Sequence, residues 1–523
     1  MKALTNIKGR SVRAAIAVLG LVVPVASSWA ARDFTPQAGT WVISEELNGK
    51  PGRGLAIDVQ GNTFFMQVFG YEKNGDATFY TATGQMDGNR VTAPLMQYQG
   101  GRSFGSEARD AVEAGSAGDV TVSFTNGLHG SIQLPGEKVL PIQRFEVRSA
   151  QFEDDYLAPK SGVRSFQTVA LDGAGQPVFY WRGSIGRHMK SPTHGVNLEM
   201  GGAYADFSCL RTGADMYSCS EPIVRSLSSP RLPVNAIELR ISAGGLQGFV
   251  DVIQNGVVQR YSLLGRLVTG MKKDTGASIP ECPPYSVVYA EPFGGCRMGN
   301  KVPVSGTWVV ESELDGKPGR GFALDFQNGV AIAQVFNYQP GGQPTFHMGS
   351  VDAPKTPVTL PLGQYAGGRY LGGPGQAATL LADAGSMRLE FVETVGRFSI
   401  ESHTVAKLDL PGEPTRRLVR MELEPDAEGS QSLLGQWVLS DDTIVSLTRD
   451  LGSRAANADE TAWCERAPKE PLLHLVSCQW MHVYDDKVVW QKANLIMRPN
   501  SPGSALQIRD RHGNLTGLGL LQD

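Results

Sequence analysis

One stretch of this chain occurs twice, and that fact limits its architecture more than any other. Residues 39–60, GTWVISEELNGKPGRGLAIDVQ, return as GTWVVESELDGKPGRGFALDFQ from Gly306. A single offset of 267 carries Gly39 onto Gly306, Tyr71 onto Tyr338 and Arg102 onto Arg369 without a gap, with about half of the positions identical. Further on, Leu134-Pro135-Gly136-Glu137 recurs as Leu410-Pro411-Gly412-Glu413, and the strand after it carries Arg144 and Glu146 in one copy, Arg420 and Glu422 in the other. The offset there is 276, so the second copy has gained nine residues. The Gly-rich region around Gly372 to Gly385 is the expected place, as a surface loop.

A duplicated unit of this length must bury a core of its own, and 523 residues are more than one core usually serves. Short apolar-alternating runs separated by turn chemistry predict a succession of hairpins in residues 34–147, with about eight strands. Asn48-Gly49, Asn74-Gly75 and Asn126-Gly127 supply the positive φ that tight connections need. The expectation is an all-β protein of tandem antiparallel meander barrels or sandwiches. Its plan is a signal peptide (1–30), domain A1 (34–147), domain B1 (148–265), a Cys- and Pro-rich linker (266–303), domain A2 (304–423) as a repeat of A1, and domain B2 (424–523), whose closely spaced cysteine couple makes it a candidate repeat of B1.

The first residues fix the compartment expected. Lys2, Lys8, Arg10 and Arg13 precede an apolar run from Ala14 to Ala26, and Ser28-Trp29-Ala30 is a small-x-small cleavage site, the pattern of a secretory signal. Later apolar runs are too short for a spanning helix. The expectation is a periplasmic or secreted protein with no transmembrane segment after signal cleavage. Six cysteines follow in three local couples, Cys209 with Cys219, Cys282 with Cys296 and Cys464 with Cys478; with no CxxC spacing and His474 the only histidine between any couple, they read as sequential disulfides rather than a metal site. A net charge of −4 gives no electrostatic reason to bind nucleic acid or anionic lipid.

The duplication also separates the faces of its strands. The apolar side Leu55, Ile57, Val59 becomes Phe322, Leu324, Phe326, whereas Ala56-Asp58-Gln60 stays Ala323-Asp325-Gln327. A core face tolerates volume-conserving swaps; the polar face is held by something more specific, an ion-pair partner such as Arg53 or Arg102, or a ligand. The candidate ligand-contacting residues are therefore Asp58, Gln67, Tyr71, Gln97 and Arg102, with their counterparts Asp325, Gln334, Tyr338, Gln364 and Arg369. No catalytic or metal-binding constellation is assigned, and no cofactor. None of the eight histidines lies opposite another in the aligned blocks, and neither Gly-x-Ser-x-Gly nor His-Glu-x-x-His occurs. Glu46 with Asp58, matched by Glu313 with Asp325, is the carboxylate pair from which a glycan-directed hydrolase would be built.

Trp41 and Trp308 each close a Gly-x-Trp at the start of a meander. This resembles the opening of the calycin group, the lipocalin- and avidin-type barrels, in which an Arg of the last strand covers the Trp; Arg144 and Arg420 are placed for that role. The longer pattern, Gly-x-Trp, then Gly-x-Gly, then Tyr-x3-Gly (Tyr71 to Gly75; Tyr338 to Gly342), resembles repeats of uncharacterised secreted bacterial β-rich proteins. The resemblance implies fold and compartment and brings no activity. The expected function is a non-enzymatic protein that binds a small molecule, glycan or envelope component or acts as an envelope-associated scaffold. The alternatives are the carboxylate hydrolase and an outer-surface adhesion or matrix component.

Overall fold

The computed structural model describes residues 30–149, 163–187, 194–200, 203–213, 216–222, 232–242, 245–267, 303–352, 356–395, 398–401, 404–424, 429–439, 443–466, 475–484, 487–497 and 505–516. Among them there is no α-helix; three short 3-10 turns accompany the strands.

A1 is a closed barrel of eight antiparallel strands, from Gly39–Ile43 to Leu140–Arg144, each paired with its neighbours in sequence and the last closing on the first. A2 repeats it from Gly306–Val310 to Arg416–Arg420. B1 is a third closed eight-strand barrel, between Val163–Leu171 and Val257–Leu267. The three barrels make the fold all-β and internally duplicated, and their alternating strands turn one face inward. Leu55, Ile57 and Val59 belong to the A1 core, and Phe322, Leu324 and Phe326 to the A2 core. Among the described residues no strand of either copy enters the other's sheet, and an isolated parallel β-bridge joins Tyr71 to Tyr370.

The extra residues of A2 are not in the Gly-rich stretch. Gly118 and Gly385 correspond at the 267 offset, both have positive φ, and both abut the proline of the Leu-Pro-Gly-Glu turn, Pro135 or Pro411. The copies part company only after this strand, where the four residues 125–128 of A1 become the thirteen residues 392–404 of A2, which carry an added hairpin of Val392–Val395 and Phe398–Glu401. The Gly-rich segment kept its length because it is not a free loop, as its contacts below show.

Among the described residues B2 forms two open sheets and no closed barrel. Gly435–Val438 lies between Ile444–Leu447 and Leu506–Arg509, and a separate five-stranded sheet runs from Arg449–Asp450 to Lys487–Ile496. One core spans both sheets around Trp437. Gly435-Gln436-Trp437 is a third Gly-x-Trp that the pattern of A1 and A2 identifies in retrospect. Gly39, Gly306 and Gly435 have φ of 129°, 127° and 129°. Each following tryptophan donates its indole N–H to the carbonyl four residues back, on Gln37, Val304 or Leu433. In each unit the tryptophan is fully buried.

Two of the three expected disulfides are formed, Cys209–Cys219 and Cys464–Cys478, each between residues directly opposite on adjacent strands. Cys282 and Cys296 lie outside the described residues, as do 1–29, the expected signal. Within the described residues no helix is long and apolar enough to cross a membrane. B1 and B2 pack through Val169, Leu171, Tyr180 and Leu264 against Val438, Ile508 and Leu515. B2 reaches A1 at Gly61 and Asn62, through Arg32, buried against Gly61, Asn62 and Asn514, and through Glu424, which accepts from Arg511 and from the Asn62 N–H.

Candidate functional site: the face shared by the two copies

The side of the duplicated strands that did not change sequence is the side on which A1 meets A2. Ala56, Phe69, Tyr71 and Phe79 of one barrel form a single apolar cluster with Ala323, Phe336, Tyr338 and Phe346 of the other. The contacts exchange in pairs, residue i of A1 on j of A2 and the counterpart of i on the counterpart of j, as in an isologous dimer joined into one chain.

The charges obey the same rule. Asp325 receives both terminal nitrogens of Arg144, at 2.7 and 2.6 Å, and the backbone N–H of Thr40 at 2.9 Å. Asp58 receives Arg420 at 2.6 and 2.8 Å and the N–H of Thr307 at 2.9 Å. The expected partners of Asp58, Arg53 or Arg102, are thus replaced by an arginine of the other copy. Gln60 and Gln327 finish the pattern: the amide of each donates to a carbonyl just past the last strand of the opposite barrel, Met421 or Phe145. Gly39 and Gly306 have no space for a side chain, because a Cβ would fall on the guanidinium of Arg144 or Arg420 and on the aspartate it holds.

Two arginine–glutamate networks flank this centre. Arg53 lies between Glu46 and Glu137, and Arg369 from A2 joins the same carboxylates at 2.8 and 3.2 Å. Arg320 lies between Glu313 and Glu413, joined by Arg102 of A1 at 3.3 and 3.5 Å. Burial opposes the charge on Glu137 and Glu413, but the hydrogen bonds from Arg53 and Arg320 outweigh it and hold both carboxyls below the usual glutamate range. Arg102 and Arg369 ride on two exchanged arms, residues 100–111 and 367–378. Gly100 N–H donates to Gly342 O, and Gly367 N–H to Gly75 O. Tyr338 lies against Gly101 and Tyr71 against Gly368, so close that a Cβ at either glycine would stand 2.1 Å from the ring. Phe104 and Leu371, at matching positions on the arms, pack onto the core of the opposite barrel.

Of the ten candidate ligand-contacting residues, eight therefore meet at this face: Asp58, Asp325, Gln67, Gln334, Tyr71, Tyr338, Arg102 and Arg369. Gln334 donates to Thr40 Oγ1 at 3.0 Å. Gln97 and Gln364 are elsewhere, half-buried on the strands that lead into the arms. Glu46 and Asp58 are not a free carboxylate pair, since each is bound by its own arginines. Phe104 and Leu371 carry no sequence signal of their role, and Glu137 and Glu413 are given no site role by sequence. The repeated Leu-Pro-Gly-Glu block marked the two glutamates, but nothing local distinguishes Phe104 or Leu371 from ordinary loop residues.

The chain matches no family model and no curated protein.

Proposed function

We propose that this protein is a non-enzymatic scaffold acting outside the cytoplasm, in the periplasm or as a secreted component of the cell envelope. The observation that carries this reading is the use of the retained polar face: its aspartates, arginines and glutamines are paired across the two copies, which gives them a structural occupation and holds the two barrels as one rigid pair. Disulfides in B1 and B2 fit an oxidising compartment. The secretory pattern before Ala31 supports the same address. On this reading the two copies do not offer equivalent free surfaces for avidity; partners would be engaged by outer surfaces of the assembled barrels.

The test compares the mature protein with Asp58→Ala and Asp325→Ala in thermal unfolding and in a glycan and lipid binding screen. The expected result is lowered thermal stability with an unchanged binding profile. A variant that keeps its melting temperature and loses a glycan or lipid bound by the parent would overturn the scaffold reading in favour of a ligand site at this face. Amino-terminal sequencing of the protein from the extracytoplasmic fraction should begin at Ala31.

A further inference from the structure

The two copies differ inside the barrel, at the end each receives from the other's arm. In A2, Asn337, Thr345 and His347 are buried, with 1%, 1% and 6% exposure. They stand on the inward side of their strands: Asn337 follows the core residues Ala333 and Val335 at two-residue spacing, Thr345 is its cross-strand partner, and His347 is opposite Val335. The 267 offset places Gly70, Thr78 and Tyr80 there in A1, where Tyr80 belongs to the core and its hydroxyl bonds Glu72. In A2 the corresponding polar atoms have no hydrogen-bond partner among the described residues: both Nδ2 and Oδ1 of Asn337, Oγ1 of Thr345 and Nδ1 of His347. Four such atoms in one barrel end cost stability and call for an explanation, since buried polar groups are nearly always paired.

Phe104 covers this end. Its ring stacks on His347 with centroids 4.8 Å apart and packs on the A2 core. On either side of it the arm is tied to the barrel rim, by Arg102 to Glu313 and by the Gly105 N–H to Glu413.

We propose that this end of A2 is a binding site for a small uncharged ligand bearing hydroxyl groups, held by Asn337, Thr345 and His347 beneath Phe104. The donor set fixes the class. The amide offers a donor and an acceptor, the hydroxyl both, and the imidazole one more, which is the complement of alcohol groups that donate and accept. Burial lowers the His347 pKa to about 4, so the ring is neutral at ordinary pH. The charged groups at the rim, Arg102, Arg320 and Arg416 with Glu313 and Glu413, are each already paired with one another. An apolar ligand would leave all four atoms unpaired. Because Phe104 comes from A1, the site is complete only when the copies are joined, and entry requires the arm to lift between its two ties. This inference goes beyond the scaffold reading and does not rest on it.

The test uses the full chain with 15N-labelled histidine, following the His347 ring signals, identified by their loss in His347→Gln, during titration with glycerol, with D-glucose and with sodium acetate. The expected result is a saturable shift with glycerol or glucose and none with acetate. In Asn337→Leu the affinity should fall about tenfold, the effect of losing paired buried hydrogen bonds. Phe104→Ala, at a half-buried arm position, should change the exchange rate of the bound signal. No saturable shift with either polyol, an equal response to acetate, or a polyol response that persists in Asn337→Leu would overturn the proposal. The wild-type titration decides the matter even if the Asn337 variant does not fold.

Discussion

The pairs Asp325–Arg144 and Asp58–Arg420 are chemically the same contact in slightly different surroundings. Arg144 is 1% exposed and Arg420 11%. Removing one partner of a buried pair strands the other charge, which costs about 3–5 kcal/mol. Asp325→Ala should therefore destabilise by that amount and Asp58→Ala by somewhat less, because water reaches Arg420 more easily. Removing both members together, as in Asp325→Ala with Arg144→Met, should recover a large part of the loss. Denaturant unfolding of the singles and doubles measures this coupling, and additive singles would show that the copies are not joined through these residues. The glycines beneath the exchanged tyrosines give a second prediction. Gly101→Ala and Gly368→Ala each drive a methyl into a wedged ring and should cost about 1–3 kcal/mol, by overpacking. Gly52→Ala, at a position with open space around it, should leave the melting temperature within a degree or so.

Among the elements, the arms and the added hairpin behave oppositely. The segments 100–111 and 367–378 kept a common length through divergence because each is docked on the other barrel, by backbone bonds such as Ala111 to Pro318 and Ala378 to Pro51. The hairpin of 392–404 has its own two-stranded sheet outside the A2 barrel. Replacing 392–404 by the A1 sequence Thr-Asn-Gly-Leu should leave the A2 barrel folded, with a melting temperature unchanged or raised, since a shorter connection costs less closure entropy. Loss of cooperative unfolding in that variant would show the hairpin to be part of the core. A Gly-rich stretch reads as a tolerant loop in sequence because composition reports backbone freedom. It does not report what the backbone is pressed against.

For the molecule as a whole, the pH dependence follows from the buried acids and from His347 and His129, both lowered below the usual histidine range. Glu137 and Glu413 are held below their usual range, and Glu424, although burial raises it, is brought to about 2 by His512, Arg511 and the Asn62 N–H. A carboxyl whose folded pKa is depressed contributes stability that is present above its unfolded pKa of 4.5 and is lost as pH falls toward the folded value. His347 acts in the same direction at higher pH. Its pKa drops from 6.5 unfolded to about 4 folded, so the neutral form that the fold favours is progressively penalised below pH 6.5. At 1.36 kcal/mol per unit this contributes up to about 3 kcal/mol between those limits. Melting temperature should be level above about pH 6.5 and fall in two stages, from 6.5 to 4 and again below 4.5. His347→Gln should reduce the first stage, leaving the part due to His129, and leave the second, as read by calorimetry across pH. A profile unchanged by that substitution would place the ring in water.

The chain's own pattern determined a good deal: an all-β protein, the eight hairpin strands of A1 and their repeat in A2, the inward faces, and two local disulfides. These are set by neighbours in sequence, through period-two alternation, turn residues and short cysteine spacing. The unchanged Ala56-Asp58-Gln60 face also announced that something specific rested on it. What rested there was another part of the same chain, more than 200 residues away. Which arginine answers Asp58 and where Phe104 comes to rest both depend on how two closed barrels meet. No local periodicity encodes that meeting, because it satisfies charge and shape between surfaces that exist only after each barrel has closed.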